Sequence, residues 1–280
     1  LEQKFPEFIT PDSPTQRIGG KPLEKFEKIK HIEPMLSLND AFSKEDIEDW
    51  LSRIFKLLNE KEKKEIDFYC ELKIDGLAVE LIYEDGILKK GATRGDGFIG
   101  EDITQNLKTI ESIPLKIDTN EKLLVVRGEA FIKNEEFIKA NKEREKNNLP
   151  LYSSKRNLAA GSLRQLDPKI TSERNLDFFT YDIIAGCHEK THQKIHEFLE
   201  KIGFKVNKYN RYCKDIKEIF IFYEDILKKR NNLDYEIDGI VLIINNNSIF
   251  NNLGVVGKAY RGAIALKFPS IQVTTIIEDI

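Results

Sequence analysis

One short segment, Tyr69-Cys-Glu-Leu-Lys-Ile-Asp-Gly76, constrains the fold more than any other part of the chain. Its apolar and polar residues alternate with a period of two, which predicts a β-strand. Glu71, Lys73 and Asp75 should then share one face, with the apolar residues buried on the other. The final Asp-Gly pair predicts a sharp bend before a second strand at 77–83. A lysine held on a rigid strand between two carboxylates is a candidate covalent nucleophile. The alternative is a solvated strand face, since 32% of the residues are charged.

The size and charge of the chain set wide limits on its function. It has 280 residues, of which 40% are hydrophobic and 10% aromatic, so it can bury a substantial core as one large domain or two smaller ones. The formal net charge of −3 gives no global basic signature. A polyanion would therefore have to bind a local basic patch.

Cysteine usage and apolar runs exclude several classes of protein. Cys70, Cys187 and Cys213 form no Cys-x-x-Cys pair, and we find no histidines at zinc-ligand spacing. This argues against a structural zinc site and a disulfide framework, and it favours a reduced, cytoplasmic setting. No apolar run has the length of a membrane span, and no signal peptide is visible. The chain starts at Leu1 and stops within an apparent strand at 272–280, so we expect it to be a piece of a longer protein.

Hydrophobic periodicity and turn residues predict many strands with interspersed helices. A capping-box pattern at Ser43 and Asp46 begins a helix that we expect to reach about residue 59, and 37–40 are predicted as a loop. Neither a Gly-x-Gly-x-x-Gly nor a P-loop motif is present, which favours an α+β fold over a doubly wound nucleotide-binding fold. Further strands are predicted at 87–93, 123–131, 176–184, near Val206, at 236–244 and at 262–268, and further helices just before residue 108 and at 134–147, 191–202 and 214–230.

Some charged residues lie in segments where a simple solvent-exposed position does not account for them. Asp238 and Lys267 lie in predicted strands that are otherwise apolar, where a charge is unfavourable unless it is paired or faces a cavity. Arg127 and Glu129 share one strand face and could form a plain ion pair. The basic segment 152–167 surrounds a run of small residues and could contact phosphate, although a solvated surface fits the pattern equally well.

Eight short motifs, in order along nearly the whole chain, resemble the adenylation (nucleotidyltransferase) domain of the NAD-dependent bacterial DNA ligases. The central motif is Glu-Leu-Lys-x-Asp-Gly, present here at 71–76. Lys-x-Asp-Gly alone is weakly specific, but the ordered set leaves little room for chance. The other seven are Thr-Pro-Asp-Ser-Pro-Thr-Gln-Arg at 10–17, Pro-Met-Leu-Ser-Leu at 34–38, Thr-Arg-Gly-Asp-Gly at 93–97, Val-Arg-Gly-Glu at 126–129, Ala-Ala-Gly-Ser-Leu-Arg-Gln-Leu-Asp-Pro at 159–168, Ile-Asp-Gly-Ile-Val at 237–241 and Ala-Leu-Lys-Phe-Pro at 265–269.

The resemblance implies an α+β nucleotidyltransferase fold of the DNA ligase adenylation (ATP-grasp-like) type, with antiparallel sheets and flanking helices. Residues 1–22 would be a connector and the tail of an N-terminal module that binds nicotinamide mononucleotide. Residues 23–270 would be the adenylation domain, and 271–280 would begin an OB domain. The family's zinc module lies further downstream, so zinc is expected only there.

The resemblance also implies a nick-sealing enzyme of DNA replication and repair that uses NAD⁺ as the AMP donor. The lysine attacks the α-phosphorus, AMP then passes to the 5′-phosphate of a nick, and the 3′-hydroxyl finally displaces AMP. Mg²⁺ or Mn²⁺ is expected to arrive with phosphate rather than on protein ligands. The implied partners are an adenine nucleotide and nicked duplex DNA, with no membrane contact, and the implied state is a cytoplasmic monomer. We expect this piece alone to bind adenine nucleotides, to react poorly with NAD⁺ and not to seal nicks.

Residue roles follow from the motif positions. Lys73 would be the adenylated nucleophile, with Asp75 and Asp238 completing the catalytic set. Tyr181 could equally be a core aromatic residue. Arg230 could be a cation that stabilises the end of the helix at 214–230, which needs no ligand. The expected nucleotide-binding residues are Ser37 and Leu38 beside the nucleotide, Glu71 at the adenine, Lys73, Arg94 at ribose or phosphate, Glu129 at the ribose, Tyr181 stacked on the base and Lys267 at the phosphate; Arg156, Arg164 and Arg230 match basic positions around phosphate or DNA.

One position departs from the family pattern. A nucleotide-facing lysine usually follows the aspartate of the Asp-Gly strand by five residues, and this chain has Ile243 there. The chain could therefore be slower, use another basic residue, or be a nucleotide- or DNA-binding module that has lost catalysis. The remaining alternative is an ATP-dependent ligase or a capping-type nucleotidyltransferase, which shares Lys-x-Asp-Gly, but the motifs at 10–17 and 159–168 speak against it.

Overall fold

The structure, a computed structural model, describes residues 2, 6–10, 12–18 and 23–269. The expected OB segment, 271–280, therefore lies outside the described residues, and the expected connector at 1–22 is described only in part. The α-helices of the described part are α1 (Lys44–Phe55), α2 (Glu60–Lys64), α3 (Thr104–Lys108), α4 (Asn134–Lys146), α5 (Lys155–Leu163), α6 (Pro168–Ser172), α7 (His192–Lys201), α8 (Ile216–Lys229) and α9 (Asn247–Leu253), with 3₁₀ turns at Pro6–Phe8, Pro14–Gln16 and Arg230–Asn232.

The strands form two main sheets and one small ribbon. Almost all of their pairings are antiparallel, and helices flank the sheets, which confirms the predicted α+β class. The strands are β1 (Lys28–Lys30), β2 (Ser37–Ala41), β3 (Phe68–Ile74), β4 (Leu77–Glu84), β5 (Ile87–Thr93), β6 (Ile99–Glu101), β7 (Leu123–Phe131), β8 (Asp177–Ala185), β9 (Arg211–Cys213), β10 (Ile237–Ile244), β11 (Val255–Val256) and β12 (Ala259–Lys267).

The six-stranded sheet runs in the order β11-β12-β10-β3-β9, and β2 also pairs with β12. The pairing of β2 with β12 is parallel, whereas the others in this sheet are antiparallel. The four-stranded sheet runs β5-β4-β7-β8 and is fully antiparallel. The ribbon pairs β1 with β6.

The Asp-Gly bend predicted at residues 75–76 is the point where the chain leaves one sheet and enters the other. It joins β3 of the six-stranded sheet to β4 of the four-stranded sheet. A Cβ atom on Gly76 would lie 2.3 Å from the backbone oxygen of Ala130 and 2.9 Å from Cγ of Glu129. The bend therefore lies directly against β7, the neighbour of β4, and only glycine leaves room for the contact.

Two apolar clusters form the core, one on each main sheet. The four-stranded sheet packs against residues of α3, α5 and α7. The six-stranded sheet packs one face against α1, α8 and α9, and this face carries Phe68, Cys70 and Leu72. The predicted two-sided character of the strand is confirmed, because Glu71 and Lys73 point to the opposite face.

That opposite face is nevertheless not a solvated surface. Glu71 is only 5% exposed, and β3 is buried on both faces over most of its length. The solvated-strand alternative is therefore wrong, and the charged face of β3 looks into the interior of the molecule.

Three local predictions are wrong. The first helix ends at Phe55, because Asn59 caps the separate helix α2 with its own capping box. Residues 37–40 form part of β2, since β12 provides a parallel partner. No strand lies at Val206; the strand of that region is β9, which pairs with β3 five residues further on. No helix in the described part of the chain has the length and apolar character needed to cross a membrane.

Candidate active site

A cavity of about 610 Å³ lies between the two main sheets. Residues of β3, β10 and β12 line one side of it, and residues of β7 and β8 line the other. The predicted nucleotide-binding residues all line this cavity, and so does one of the three predicted phosphate or DNA contacts. These lining residues are Ser37, Leu38, Glu71, Lys73, Arg94, Glu129, Tyr181, Lys267 and Arg156.

Two lysines of the cavity wall and the aspartate that they share form a charged centre. Lys73 Nζ lies 3.3 Å from Oδ1 of Asp238, and Lys267 Nζ lies 2.5 Å from its Oδ2. Asp40 adds a second carboxylate, 3.9 Å from the Lys267 amine. The side chains of Lys73, Asp238 and Lys267 are 22%, 29% and 21% exposed. Lys73 and Lys267 line the cavity, whereas the predicted catalytic residues Asp75 and Asp238 are not among its lining residues.

The strand register explains why these three side chains meet. Gly239 lies opposite Lys73 on one side and opposite Lys267 on the other. The register of β10 against β3 shifts between Ile237 and Gly239, which leaves Asp238 unpaired in a bulge. Bulges re-aim the side chain of the extra residue and are frequent beside functional sites. The bulge here turns Asp238 toward the two amines.

A second bulge faces the same cavity from the opposite sheet. The register of β8 against β7 shifts between the Arg127–Asp182 and Gly128–Thr180 pairs, so that Tyr181 is the extra residue. Its ring lines the cavity, and burial raises the pKa of its hydroxyl well above the ordinary value. The tyrosine stays neutral and offers a flat aromatic surface to a ligand.

Glu129 is the carboxylate most affected by its surroundings. Burial raises its pKa to about 7, although the charges of Lys73 and Arg156 pull in the opposite direction. Glu129 lies on β7 opposite Ala78 of β4, directly beside the Gly76 bend. It does not pair with Arg127, so the plain ion pair considered from the sequence does not form.

Arg127 instead positions the segment that leads into β2. Its guanidinium donates to Oε2 of Glu80, at 2.8 and 3.0 Å, and to the backbone oxygens of Glu33 and Pro34. His31 contacts the other oxygen of Glu80 at 2.9 Å. This buried network holds residues 33–34 against β7, and the chain then runs directly to Ser37 and Leu38 at the cavity.

The remaining cations lie at the rim or outside the cavity. Arg156, at the start of α5, pairs with Asp75 at 3.3 Å, and Arg94 follows β5 on the exposed edge. Arg164 pairs with Glu101 at 2.8 Å. The Arg230 guanidinium stacks on Phe268, 5.4 Å from the ring centre. Arg164 and Arg230 do not line the cavity.

Glu71 has two partners that the sequence motifs do not include. Its Oε1 lies 2.6 Å from Nε2 of His192 and 2.6 Å from Nε2 of His196, both on α7. Burial opposes ionisation of Glu71, but the two histidines outweigh it and lower its pKa to about 2. The pKa of His192 is raised despite burial, because Glu71 accepts its hydrogen bond. Glu71 is therefore a firmly ionised acceptor in the cavity wall.

The expectation that no histidines stand at metal-ligand spacing is wrong for this pair. His192 and His196 are four residues apart on a helix, so both side chains lie on one face. This spacing is visible in the sequence and could have marked the pair. The partner, Glu71, is more than 120 residues away in the chain, and no sequence pattern joins it to them.

Ile243 lies in the cavity wall but far along β10 from the charged centre. It stands opposite Tyr69 of β3 and Ala263 of β12. It lies four positions along the strand from Gly239, which corresponds to about 13 Å. Position 243 is therefore at the Glu71 and His192 end of the cavity rather than beside Lys73.

This arrangement can bind a nucleotide and hold an amine against its phosphate. The Lys73 end offers two amines for phosphate, and Glu71 at the other end offers an ionised carboxylate for a base. The Tyr181 ring adds an aromatic surface to the wall. Lys73 and Lys267 both lie on interior strands beside Asp238, and the motif at 71–76 singles out the amine of Lys73 as the nucleophile.

The comparisons with known proteins point to one family. A family model described as "NAD-dependent DNA ligase adenylation domain" matches residues 23–271. A DNA ligase of Carboxydothermus hydrogenoformans is 46% identical, and those of Acetivibrio thermocellus and Clostridioides difficile are each 47% identical. These alignments cover 100% of this chain and 42%, 42% and 41% of the three relatives. The chain thus spans about two fifths of the length of the curated relatives it matches.

Among solved structures, a putative ATP-dependent DNA ligase from Aquifex aeolicus is 16% identical, with a TM-score of 0.41. The similarity covers 81% of this chain and 51% of that chain.

Proposed function

The chain belongs to the NAD-dependent DNA ligase adenylation domains, and from this we propose that Lys73 takes AMP from NAD⁺ as a covalent lysyl-AMP. The amine nitrogen attacks the α-phosphorus, a P–N bond forms, and the bond to nicotinamide mononucleotide breaks. The observation that carries the proposal is the placement of the Lys73 amine 3.3 Å from Asp238 inside a cavity large enough for a nucleotide. A second cation, Lys267, shares the same carboxylate.

The lining residues support separate roles along the cavity. Lys267 and Arg94 would contact the phosphate or ribose and neutralise charge that develops on the phosphate oxygens. Glu129 would accept hydrogen bonds from the ribose hydroxyls. Tyr181 would stack on the base, and Glu71 would accept a hydrogen bond from its amino group. Ser37 and Leu38, held by the Arg127 network, would border the nucleotide.

Magnesium or manganese would enter with the nucleotide phosphates. Oδ1 of Asp238 contacts the Lys73 amine at 3.3 Å, so this carboxylate lies beside the amine that the phosphate would approach. Such an ion would neutralise the phosphate and help to orient it. Asp75, paired with Arg156 at the rim, would keep that guanidinium beside the cavity mouth.

The complete reaction would belong to the longer protein. In it, AMP would pass from Lys73 to the 5′-phosphate of nicked duplex DNA, and Arg156, Arg164 and Arg230 would contact nucleotide or DNA phosphates. We further propose a cytoplasmic monomer that acts in DNA replication and repair. The present chain would bind adenine nucleotides, react slowly with NAD⁺ and fail to seal nicks.

Mass spectrometry of lysyl-AMP tests the proposal. The longer protein and the present chain would each be incubated with Mg²⁺ and with NAD⁺, ATP or GTP, and peptides would be searched for a nucleotide on Lys73. We expect an adenylyl adduct from NAD⁺ only, fast in the longer protein, and none after Lys73→Arg. An adduct from ATP or GTP would instead indicate an ATP-dependent or capping-type enzyme.

A second candidate function is a nucleotide- or DNA-binding module without catalysis, which Ile243 favours. In that case no donor would label Lys73 even in the longer protein, although AMP would still bind. Robust nick closure by the present chain with NAD⁺ would contradict the proposed division of labour between this chain and the rest of the protein.

A further inference from the structure

Three buried side chains converge at the end of the cavity away from Lys73. Glu71, His192 and His196 are 5%, 6% and 3% exposed. One oxygen or nitrogen atom from each lies within 4.8 Å of those of the other two. Glu71 comes from β3, and the histidines come from successive turns of α7. The three groups are therefore held by two rigid elements that pack against each other.

The chemistry of this set matches one class of ligand. Two imidazoles and one carboxylate form the protein ligands of open zinc sites, in which a fourth position is left for water or substrate. Two histidines at a spacing of four on a helix are a recurrent way to supply the imidazoles. Tetrahedral coordination needs ligand atoms about 3.3 Å apart, given metal–ligand distances of about 2.0 Å. The present 2.6 Å contacts would have to open by less than 1 Å.

His196 has one polar contact among the described residues, the one from its Nε2 to Glu71. Its Nδ1 is buried and has no hydrogen-bond partner there, so Nδ1 is free to carry the ring proton when Nε2 binds an ion. The aromatic ring of Tyr69 packs on both imidazoles, with ring centres 5.7 and 4.7 Å away, which keeps the pair aimed at Glu71.

We propose that Glu71, His192 and His196 bind a divalent transition-metal ion of the Zn²⁺ class through one carboxylate oxygen and two imidazole nitrogens. Each imidazole binds through Nε2, so the proton now shared with Glu71 moves to Nδ1 or leaves to solvent. Glu71 and His192 line the cavity, whereas His196 lies behind them. The fourth coordination position consequently faces the cavity.

A metal ion at this position would compete with an adenine nucleotide. This consequence rests on the proposed function, in which Glu71 accepts a hydrogen bond from the base. The carboxylate cannot serve both partners through the same oxygen, and the ion would fill the end of the cavity where the base lies. The metal site would thus make adenylation sensitive to free zinc.

Binding of Co²⁺ and Zn²⁺ to the metal-free chain, without nucleotide, tests the site directly. We expect one equivalent of Co²⁺ to give visible d–d absorption that Zn²⁺ abolishes. His192→Gln and His196→Gln should remove this absorption and weaken Zn²⁺ binding by about 100-fold or more. The matched control is His188→Gln, since His188 precedes His192 by the same four residues but its side chain is 89% exposed.

If the histidine variants do not fold, X-ray absorption at the zinc edge of the unaltered chain identifies the ligands around bound Zn²⁺. Two imidazoles and one carboxylate around Zn²⁺ would support the site. Binding that survives in both folded histidine variants, or no binding by the unaltered chain, would overturn it and leave the three groups as a hydrogen-bonded cluster.

The competition has its own readout. Zn²⁺ should weaken AMP binding to the unaltered chain but not to His196→Gln, because His196 does not line the cavity. If AMP does not bind at all, the proposed function is wrong, but the metal titration without nucleotide still tests the metal site independently. Equal weakening of AMP binding in both proteins would show that zinc acts elsewhere.

Discussion

The Lys73 amine lies 3.3 Å from Oδ1 of Asp238 because a bulge in β10 directs that aspartate toward β3. The same carboxylate contacts Lys267 through its other oxygen. Asp238 thus holds two amines near one another that would otherwise repel. A phosphate entering the cavity can replace this carboxylate as the partner of Lys267, which frees Asp238 to act on Lys73 or on a metal ion.

Replacing Asp238 by asparagine should impair the chemistry of Lys73. We expect Asp238→Asn to slow lysyl-AMP formation by about 100-fold, the usual size of an acid–base or charge-positioning effect. The thermal midpoint should also fall, because the Lys73 and Lys267 amines lose the carboxylate that they share. Single-turnover mass spectrometry of lysyl-AMP provides the rate, and Asp234→Asn, at an exposed position in the same segment, is the control. A rate within threefold of the unaltered protein would remove Asp238 from the catalytic set.

The close approach of β7 to Gly76 should make this position intolerant of any side chain. A methyl group there would collide with the backbone oxygen of Ala130, so Gly76→Ala should destabilise the fold by about 1–3 kcal/mol. A methyl group on Gly161 in α5 would meet no described atom within 4 Å outside its own helix, and Gly161→Ala should be neutral or stabilise by about 0.5–1 kcal/mol. Urea denaturation of both variants measures the difference. Equal free energies of unfolding would contradict the steric account.

The raised pKa of Glu129 predicts a pH-dependent stability. Its carboxyl has a pKa of about 7 in the folded chain against an ordinary value of 4.5, so the folded state retains a proton that the unfolded state loses. Between these two pH values the unfolded chain binds fewer protons, and stability falls as pH rises. Glu129→Gln carries no ionisable group and should gain in thermal midpoint relative to the unaltered chain from pH 5 to pH 8. A constant difference across this range would show that the carboxyl is not perturbed.

The charged face of β3 could be predicted from sequence because a strand alternates its side chains whatever surrounds it. The placement of Lys73, Glu71 and Lys267 in one cavity follows from that alternation together with the ordered motifs. The two bulges were not predictable, since the extra residue of a bulge is defined only by the register of its partner strand. Asp238 and Tyr181 could be named as site residues from their motifs. The reason that Asp238 meets the two amines and that Tyr181 lines the cavity is tertiary.

The partners of Glu71 were missed for a similar reason. His192 and His196 mark one face of a predicted helix, yet nothing local says which strand that face will meet. The loop prediction at 37–40 failed in the same way, because β2 depends on hydrogen bonds to β12. Local sequence patterns therefore predicted most helices and strands and the nucleophile Lys73. The partners of the site residues depend on contacts between segments that are distant in the chain, which local patterns do not show.

The final prediction concerns Ile243, where the family usually has a lysine. Position 243 lies about 13 Å along β10 from the level of Lys73, and it faces Tyr69 and Ala263. A lysine placed there would meet Glu71 and the base rather than the phosphate, and Glu71 already has two histidine partners. We therefore expect Ile243→Lys to change the rate of lysyl-AMP formation from NAD⁺ by less than about threefold, since the phosphate end keeps Lys73, Lys267 and Arg94. A tenfold or larger increase in rate, measured by lysyl-AMP mass spectrometry, would mean that the isoleucine has impaired catalysis in this chain.

The same Ile243→Lys variant should lose Co²⁺ binding, because a lysine would pair with Glu71 and repel a cation. Ile243→Leu is the control for side-chain volume.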